Sequence, residues 1–350
     1  MTTLAATLLG RREAHEPPEA RGLARDEVRM LVATRDGLAH AQARDLPEQL
    51  RAGDVVVVNT SATLPAALPA RRADGSRLAL HLSTPDATVH PQRDHARERW
   101  VVELREQGHR FTGARAGESL QLPRGAHATL LAPYLAGARL WLAELDTGPI
   151  ALLEYLHEHG APIRYGYVAG DWPLSDYQTV FAREPGSAEM PSAGRPFTTQ
   201  LVTDLVARGI AVAPITLHTG VSSQEAGEPP YPERFRVPAP TAALVNTARA
   251  GGGRVVAAGT TVVRALETAA LPDGHLEPVA GWTRHVVTPA GGVRAVDGLL
   301  TGWHEPDASH LLMLEAIGGR ALVDDSYRTA LRYGYRWHEF GDVHLILPTS

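Results

Sequence analysis

Two histidines stand at the ends of apolar, strand-like runs: His218 follows residues 210–217, and His304 follows residues 298–302 after one tryptophan. Imidazole gives and takes a proton near neutral pH, so these two are the candidate acid–base groups; the plainer alternative is a pair of histidines hydrogen-bonded for structure alone. A further feature is the stretch RVVAAGTTVVRALETAA at 254–270. Its apolar start, the break Gly259-Thr260-Thr261 and the Ala-, Leu- and Glu-rich remainder read as strand, tight turn and helix, with a threonine hydroxyl as N-cap. Such a turn leaves helix N–H groups free at the carboxyl end of a strand, where an anionic group can be held. The competing reading is an ordinary strand-to-helix connection. Arg264 and Glu267, three apart on that helix, predict an intrahelical ion pair. The His157-Glu158-His159 triplet invites a metal reading, but residues i and i+2 diverge on a helix and no third ligand is near, so no metal is expected.

Composition removes several chemistries. Cys is absent, which excludes disulfides, thiolate catalysis and Cys-ligated zinc or iron–sulfur sites. All 34 basic residues are Arg, so Schiff-base lysines and a Walker A lysine are excluded as well. A net charge of -5 argues against a surface that coats nucleic acid generally and leaves room for a local Arg patch. With 44% hydrophobic and 21% charged residues, no apolar run as long as a membrane span and no secretory pattern at the start, a cytoplasmic globular protein without membrane contact is expected.

Elements that would position these groups follow from periodicity. At 350 residues two domains, or one with a large insertion, are expected. Val55-Val56-Val57-Val58 is a continuous β-branched run suited to a strand covered on both faces. From about 64 to 145 short apolar segments at 78–82, 100–104, 119–122, 127–131 and 138–145 alternate with Gly, Pro, Asp and Arg, which predicts a small antiparallel barrel or sandwich. Helices are expected over 150–159, 199–208, 241–250, 309–317 and 327–333, and strands over 27–33, 210–217, 284–288, 293–296 and 343–347. The fold class is therefore α/β: a main domain over 1–62 and 148–350, with a small antiparallel β-barrel domain inserted at 63–147.

Several stretches, in order along the chain, resemble the S-adenosylmethionine:tRNA ribosyltransferase-isomerases of queuosine biosynthesis. They are Gly53-Asp54-Val55-Val56-Val57-Val58-Asn59, Tyr177-Gln178-Thr179-Val180-Phe181-Ala182, Glu184-Pro185-Gly186-Ser187 with Pro191-Ser192-Ala193-Gly194, and Leu217-His218-Thr219-Gly220. Further on come Gly259-Thr260-Thr261 with Arg264 and Glu267, Val296-Asp297-Gly298-Leu299-Leu300-Thr301 with His304 and Pro306, and Tyr335-Arg336 with Gly341-Asp342. The resemblance implies an α/β domain with an inserted β-barrel. It also implies a reaction in which S-adenosylmethionine is the ribosyl-donor substrate. Its ribosyl carbons pass, rearranged to an epoxycyclopentanediol, to the aminomethyl group of a 7-deazaguanine base in tRNA, and adenine and methionine leave. That chemistry needs a proton removed beside the sulfonium, a cationic centre shielded from water and acid help for the departing adenine.

On this resemblance His218 and His304 are the expected catalytic groups. Tyr177, Thr179, Gly220, Gly259, Thr260, Thr261, Arg264, Asp297 and Thr301 are expected to contact S-adenosylmethionine. Thr260 and Thr261 would take its carboxylate or a ribose hydroxyl, Tyr177 and Trp303 the sulfonium or adenine, and Asp297 and Asp342 a ribose or a histidine. The chain also departs from the family pattern. Thr60-Ser61-Ala62 and Ala67 replace an acid, a Thr and two Arg, and Pro196 stands where a His is expected. Val221-Ser222-Ser223, Tyr231-Pro232-Glu233 and Gly302 are further departures. The missing Arg positions weaken the expected phosphate contacts to tRNA unless the Arg71-Arg72 pair or Arg195 substitutes. Besides the tRNA ribosyltransferase, two other readings stay open: a paralogue that cleaves or rearranges S-adenosylmethionine with a small-molecule acceptor or none, and a non-catalytic nucleoside- or RNA-binding protein.

Overall fold

The computed structural model describes residues 12–88, 97–136, 139–221, 231–303 and 310–348. Its centre is Val55–Asn59, a strand buried along its whole length as its β-branched composition requires. Ala211–Leu217 and Val255–Ala258 flank it, both parallel, and Gly298–Gly302 continues the parallel set beyond Val255–Ala258. These four strands end together, so Asn59, His218, Gly259 and Trp303 emerge at one edge. In α/β sheets that carboxyl edge is where ligands are held. Val343–Leu347, Arg29–Thr34 and Gly37–Gln42 extend one side, and Glu233–Val237 with Val279–Thr283 the other, to nine strands.

Alternation along the central strand divides the core in two. Val55 and Val57 face one cluster with Val262, Leu266, Leu314 and Tyr327. Val56 and Val58 face the opposite cluster with Phe197, Leu201 and Leu205. Helices Ala239–Ala250, Thr260–Ala269, His310–Gly318 and Arg320–Tyr333 contribute to the first layer, and Thr199–Ala207 to the second.

A separate antiparallel sheet forms from the strands between residues 67 and 146. It runs Leu140–Asp146, His127–Pro133, Ser119–Gln121, Ala67–Arg71, Arg77–Pro85 and Arg97–Glu106, and closes because Leu140–Asp146 also pairs with Arg97–Glu106. Closure leaves no long open edge and buries an interior of its own, with Leu68, Leu80, Val102, Leu120, Leu130 and Ala143 among its members. An α/β body carrying a closed antiparallel barrel is the class expected from the sequence.

Three local expectations differ. Residues 284–288 and 293–296 are irregular rather than strands, and the strand of that region is Val279–Thr283. The amides of Arg294 and Ala295 bond the Glu267 carboxylate at 2.9–3.0 Å and that of His285 the Thr283 hydroxyl at 3.1 Å, so they are unavailable to a ladder. The final long helix starts at Arg320, a full two turns before the expected 327, and the expected short helix is its last half. At the turn before the helix Thr260–Ala269 the cap position belongs to Gly259, not to a threonine. Its φ of 107° lies in the left-handed region that a side chain avoids, which explains the glycine there.

Candidate active site

At the carboxyl edge of the parallel strands an open cleft of about 860 Å³ is lined by Gly220, Gly259, Thr260, Thr261, Arg264 and Thr301, six of the residues expected to contact the donor. Asn59 holds the floor. Its side chain accepts from the amides of Leu217 and Ser61, both at 3.0 Å, donates to the Leu217 carbonyl at 2.8 Å and reaches the Thr261 hydroxyl at 3.4 Å. The first turn of the helix Thr260–Ala269 is pinned by the Val262 and Val263 amides on the Gly259 carbonyl, at 3.1 and 3.3 Å. The amides of Thr260 and Thr261 precede these bonds at the positive end of the helix, an arrangement suited to a carboxylate.

Arg264 does not pair with Glu267. Its guanidinium pairs with Glu233 and donates to the carbonyls of His285 at 3.2 Å and Tyr231 at 3.3 Å. Glu267, fully buried, is consumed by the backbone of 294–295, so the expected intrahelical pair is absent. Glu233 also accepts from the Gly220 amide at 3.1 Å and so ties the turn after one parallel strand to the helix after another. The barrel meets the cleft here. Ser83 accepts from the Val221 amide at 3.1 Å, and Arg139 bonds the hydroxyl of Tyr231 from beneath. Glu189 and His310, which carry no signal in the sequence, also line the cleft, as does Glu233 of the departing Tyr231-Pro232-Glu233 segment; the pKa of His310, at the start of its helix, is driven down to about 4 by burial, with Arg264 adding to the shift.

His218 stands at the strand end but does not line this cleft. Its Nδ1 and the Ser61 hydroxyl share a hydrogen bond at 2.7 Å, and Ser61 is bonded to Ser187 at 2.6 Å, both serines being buried. Gly186 packs directly on the imidazole; a Cβ there would meet Nδ1 at 2.4 Å. Burial, then the nearby Arg234 charge, lowers the His218 pKa, so its imidazole is held neutral. Thr179 is buried beneath Gly194, its hydroxyl accepting from the Phe181 amide at 3.2 Å. Asp297 lies at the start of its strand pair, accepting from the Val255 amide at 2.9 Å, four residues before Gly259 and hence at the opposite end of the sheet from the cleft. The structure does not bring Asp297 to the other candidates. Asp342 is likewise structural in its contacts, binding Arg29 and the amide of Arg336. His304 lies outside the described residues.

A second cleft, of about 630 Å³, adjoins the first through Glu189, Met190 and Ser192. Tyr177 and Trp303 are in its wall, with Tyr165, Tyr167, His338 and Glu339. Trp303 is 1% exposed and stacked on His344 at 4.5 Å, so most of it belongs to the core. Burial pushes the Tyr177 hydroxyl up to about 12 and keeps it protonated.

The profile of a family described as "Queuosine biosynthesis protein" matches residues 7–346. The chain belongs to this family. Among its curated relatives, the S-adenosylmethionine:tRNA ribosyltransferase-isomerase of Moorella thermoacetica is 38% identical over 95% of this chain and 96% of the relative. The proteins of the same name from Sphingopyxis alaskensis and Thermus thermophilus are 35% and 34% identical, covering 93% and 95% of this chain. A crystal structure of S-adenosylmethionine tRNA ribosyltransferase from Thermotoga maritima superposes with a TM-score of 0.52 at 26% identity, covering 96% of this chain and 97% of that one. Family membership thus spans both the barrel and the α/β body. Among the described residues no group of three metal-ligating side chains converges and no helix is long and apolar enough to cross a membrane.

Proposed function

We propose that this protein is an S-adenosylmethionine-dependent tRNA ribosyltransferase-isomerase: it transfers and rearranges the ribosyl moiety of S-adenosylmethionine onto a 7-aminomethyl-7-deazaguanine base in tRNA, releasing adenine and methionine. The observation that carries the reading is the convergence of Gly220, Gly259, Thr260, Thr261, Arg264 and Thr301 on one cleft at the carboxyl edge of the parallel strands, in a chain whose relatives bear this name along their whole length.

In this reading the methionine carboxylate sits on the Thr260 and Thr261 amides, and Arg264, fixed by Glu233, adds positive potential without being spent on a flexible contact. Bound donor and acceptor would have to displace water from this open cleft to shield the cationic centre. Removal of the proton beside the sulfonium needs a neutral base, and burial keeps both His310 and His218 in that form. His310 lines the cleft and is the base this reading favours; His218 sits off it, bonded to the Ser61–Ser187 hydroxyl pair, and His304 is the other candidate from the sequence.

For the tRNA, Arg195 and Arg72 are poor substitutes for the missing family arginines. Arg195 is buried against Glu19 at 2.9 Å, and Arg72 is paired with Glu118 at 2.5 Å. Arg71 and Arg77 differ. They are directly opposite each other on exposed faces of adjacent barrel strands, with no counter-charge among the described residues. Like charges in register destabilise a strand pair, and a phosphate between them would remove that cost.

The test is incubation of the purified protein with S-adenosylmethionine, with and without tRNA carrying the aminomethyl-deazaguanine base, following adenine and methionine. Release that depends on the tRNA is expected. Release at the same rate without it would favour a small-molecule or absent acceptor, and no release together with no binding would reduce the protein to a nucleoside- or RNA-binding role.

A further inference from the structure

The second cleft has the construction of a base-binding pocket. The rings of Tyr165 and Tyr167 are stacked with centroids 5.7 Å apart and planes 13° from parallel, and Tyr167 lies on His338 at 4.4 Å and 19°. Three flat rings therefore stand in file along one wall. Tyr167 is fixed in that file because its hydroxyl donates to Glu339 Oε2 at 2.6 Å. His338 is held in a left-handed conformation, φ 68°, that a non-glycine residue adopts only under local constraint; its amide bonds the Trp303 carbonyl at 3.3 Å and its carbonyl accepts from Gly341 at 2.9 Å. Glu339 lines the cleft, and burial raises its carboxyl above the usual range. Thr63 and Met190 complete the wall, and Glu189 belongs to this cleft and to the donor cleft at once.

We infer that this cleft receives the acceptor nucleobase, flipped out of the RNA, with its planar fused ring against Tyr165 at the end of the Tyr165–Tyr167–His338 file and its donor-bearing edge on Glu339. The inference rests on the proposed function and extends it to the acceptor side. A guanine-type base presents adjacent N–H donors along its pairing edge, which a carboxyl group accepts side by side, and enzymes acting on a base take it out of the strand to stack it on aromatic rings. In this pose the aminomethyl group on the five-membered ring points toward Glu189, whose carboxylate suits an ammonium, and beyond Glu189 lies the donor. Stacking supplies the plane and Glu339 the identity of the base.

The test uses the full chain. Tyr165→Ala should raise the KM for aminomethyl-deazaguanine tRNA about 10-fold or more, the loss expected for one stacking platform, while the Kd for S-adenosylmethionine stays within twofold of wild type. Tyr165→Trp should restore the KM, which a merely structural role would not require. Retained S-adenosylmethionine binding shows that each variant is folded. Glu339→Gln, which keeps the shape, should raise the same KM. The free base, 7-aminomethyl-7-deazaguanine, should inhibit competitively against tRNA and not against S-adenosylmethionine. An unchanged KM in Tyr165→Ala, or free base competing with S-adenosylmethionine, overturns the inference while leaving the proposed function in place. Wild-type protein that releases no adenine with tRNA overturns both.

Discussion

Glu233 and Arg264 couple two turns that are far apart in sequence, and a double-mutant cycle measures that coupling. The pair is 13% and 12% exposed at the side chains, so it is only lightly screened by solvent. Glu233→Gln keeps an oxygen for the Gly220 amide and removes the charge. The loss is that of one charge-assisted hydrogen bond, about 1.5–3 kcal/mol. Glu233→Ala also strands the Gly220 amide, at a further cost of about 1–3 kcal/mol. Arg264→Met keeps the aliphatic stem and removes the guanidinium together with its bonds to the His285 and Tyr231 carbonyls. Urea unfolding of wild type, the Gln variant, the Met variant and their combination should give a coupling energy of at least ~1 kcal/mol. Isothermal titration should show weaker S-adenosylmethionine binding in each single variant, because the Gly220 turn and the guanidinium both face the cleft. A coupling energy under ~0.3 kcal/mol with unaltered donor affinity would refute the idea that this pair organises the site.

Two further outcomes follow from packing and burial. Gly220→Ala places a Cβ 2.6 Å from the Ser83 hydroxyl, so it should destabilise by about 1–3 kcal/mol in thermal melts; Ser83→Ala in the same chain removes the clash, the next Ser83 atom being 3.9 Å away, but strands the Val221 amide, so it should recover only part of the loss. His344 is fully buried beside Trp303, neither ring nitrogen has a partner among the described residues, and burial drives its pKa to about 3. Its folded pKa lies below the unfolded value, so the unfolded chain takes up the proton first and stability falls as pH drops below about 6.5. By pH 4.5 that amounts to about 2–3 kcal/mol from this residue. His344→Phe keeps the stack and should flatten urea-derived stability against pH over that window by about one proton's slope; an unchanged slope would show that His344 is not buried neutral.

Much of the cleft proposed for the donor was legible because it is local. A β-branched run, a glycine with a required left-handed φ and a short helix sit within residues 254–270, and the same edge gathers the turn at Gly220 and the strand end at Thr301. What the sequence hid depends on pairing across the sheet. Glu233 reaches Arg264 only because Glu233–Val237 pairs with Ala211–Leu217, and that long-range contact displaces the i,i+3 pair that helical spacing alone favours. Asp297 belongs to the same motif as Thr301, yet four residues of strand carry it to the far edge of the sheet, where it accepts from the Val255 amide. His310 and Glu189 carried no spacing signal, since each becomes a cleft residue through its place on a neighbouring element. The strand expected over 293–296 failed for the same reason, since the Glu267 carboxylate takes the amides of Arg294 and Ala295, while in 284–288 the His285 amide is turned locally onto the Thr283 hydroxyl.

The central claim is that ribosyl carbons of S-adenosylmethionine end on a tRNA base, and isotope placement tests it most directly. Two reactions are run with aminomethyl-deazaguanine tRNA, one with the donor labelled in its ribose carbons and one labelled in its methyl group, and the digested nucleosides are weighed by mass spectrometry. The account predicts ribose-derived label on the deazaguanine nucleoside, with one adenine released per labelled base and no methyl label in the RNA. Methyl label in the RNA, or ribose label confined to small molecules, would contradict it.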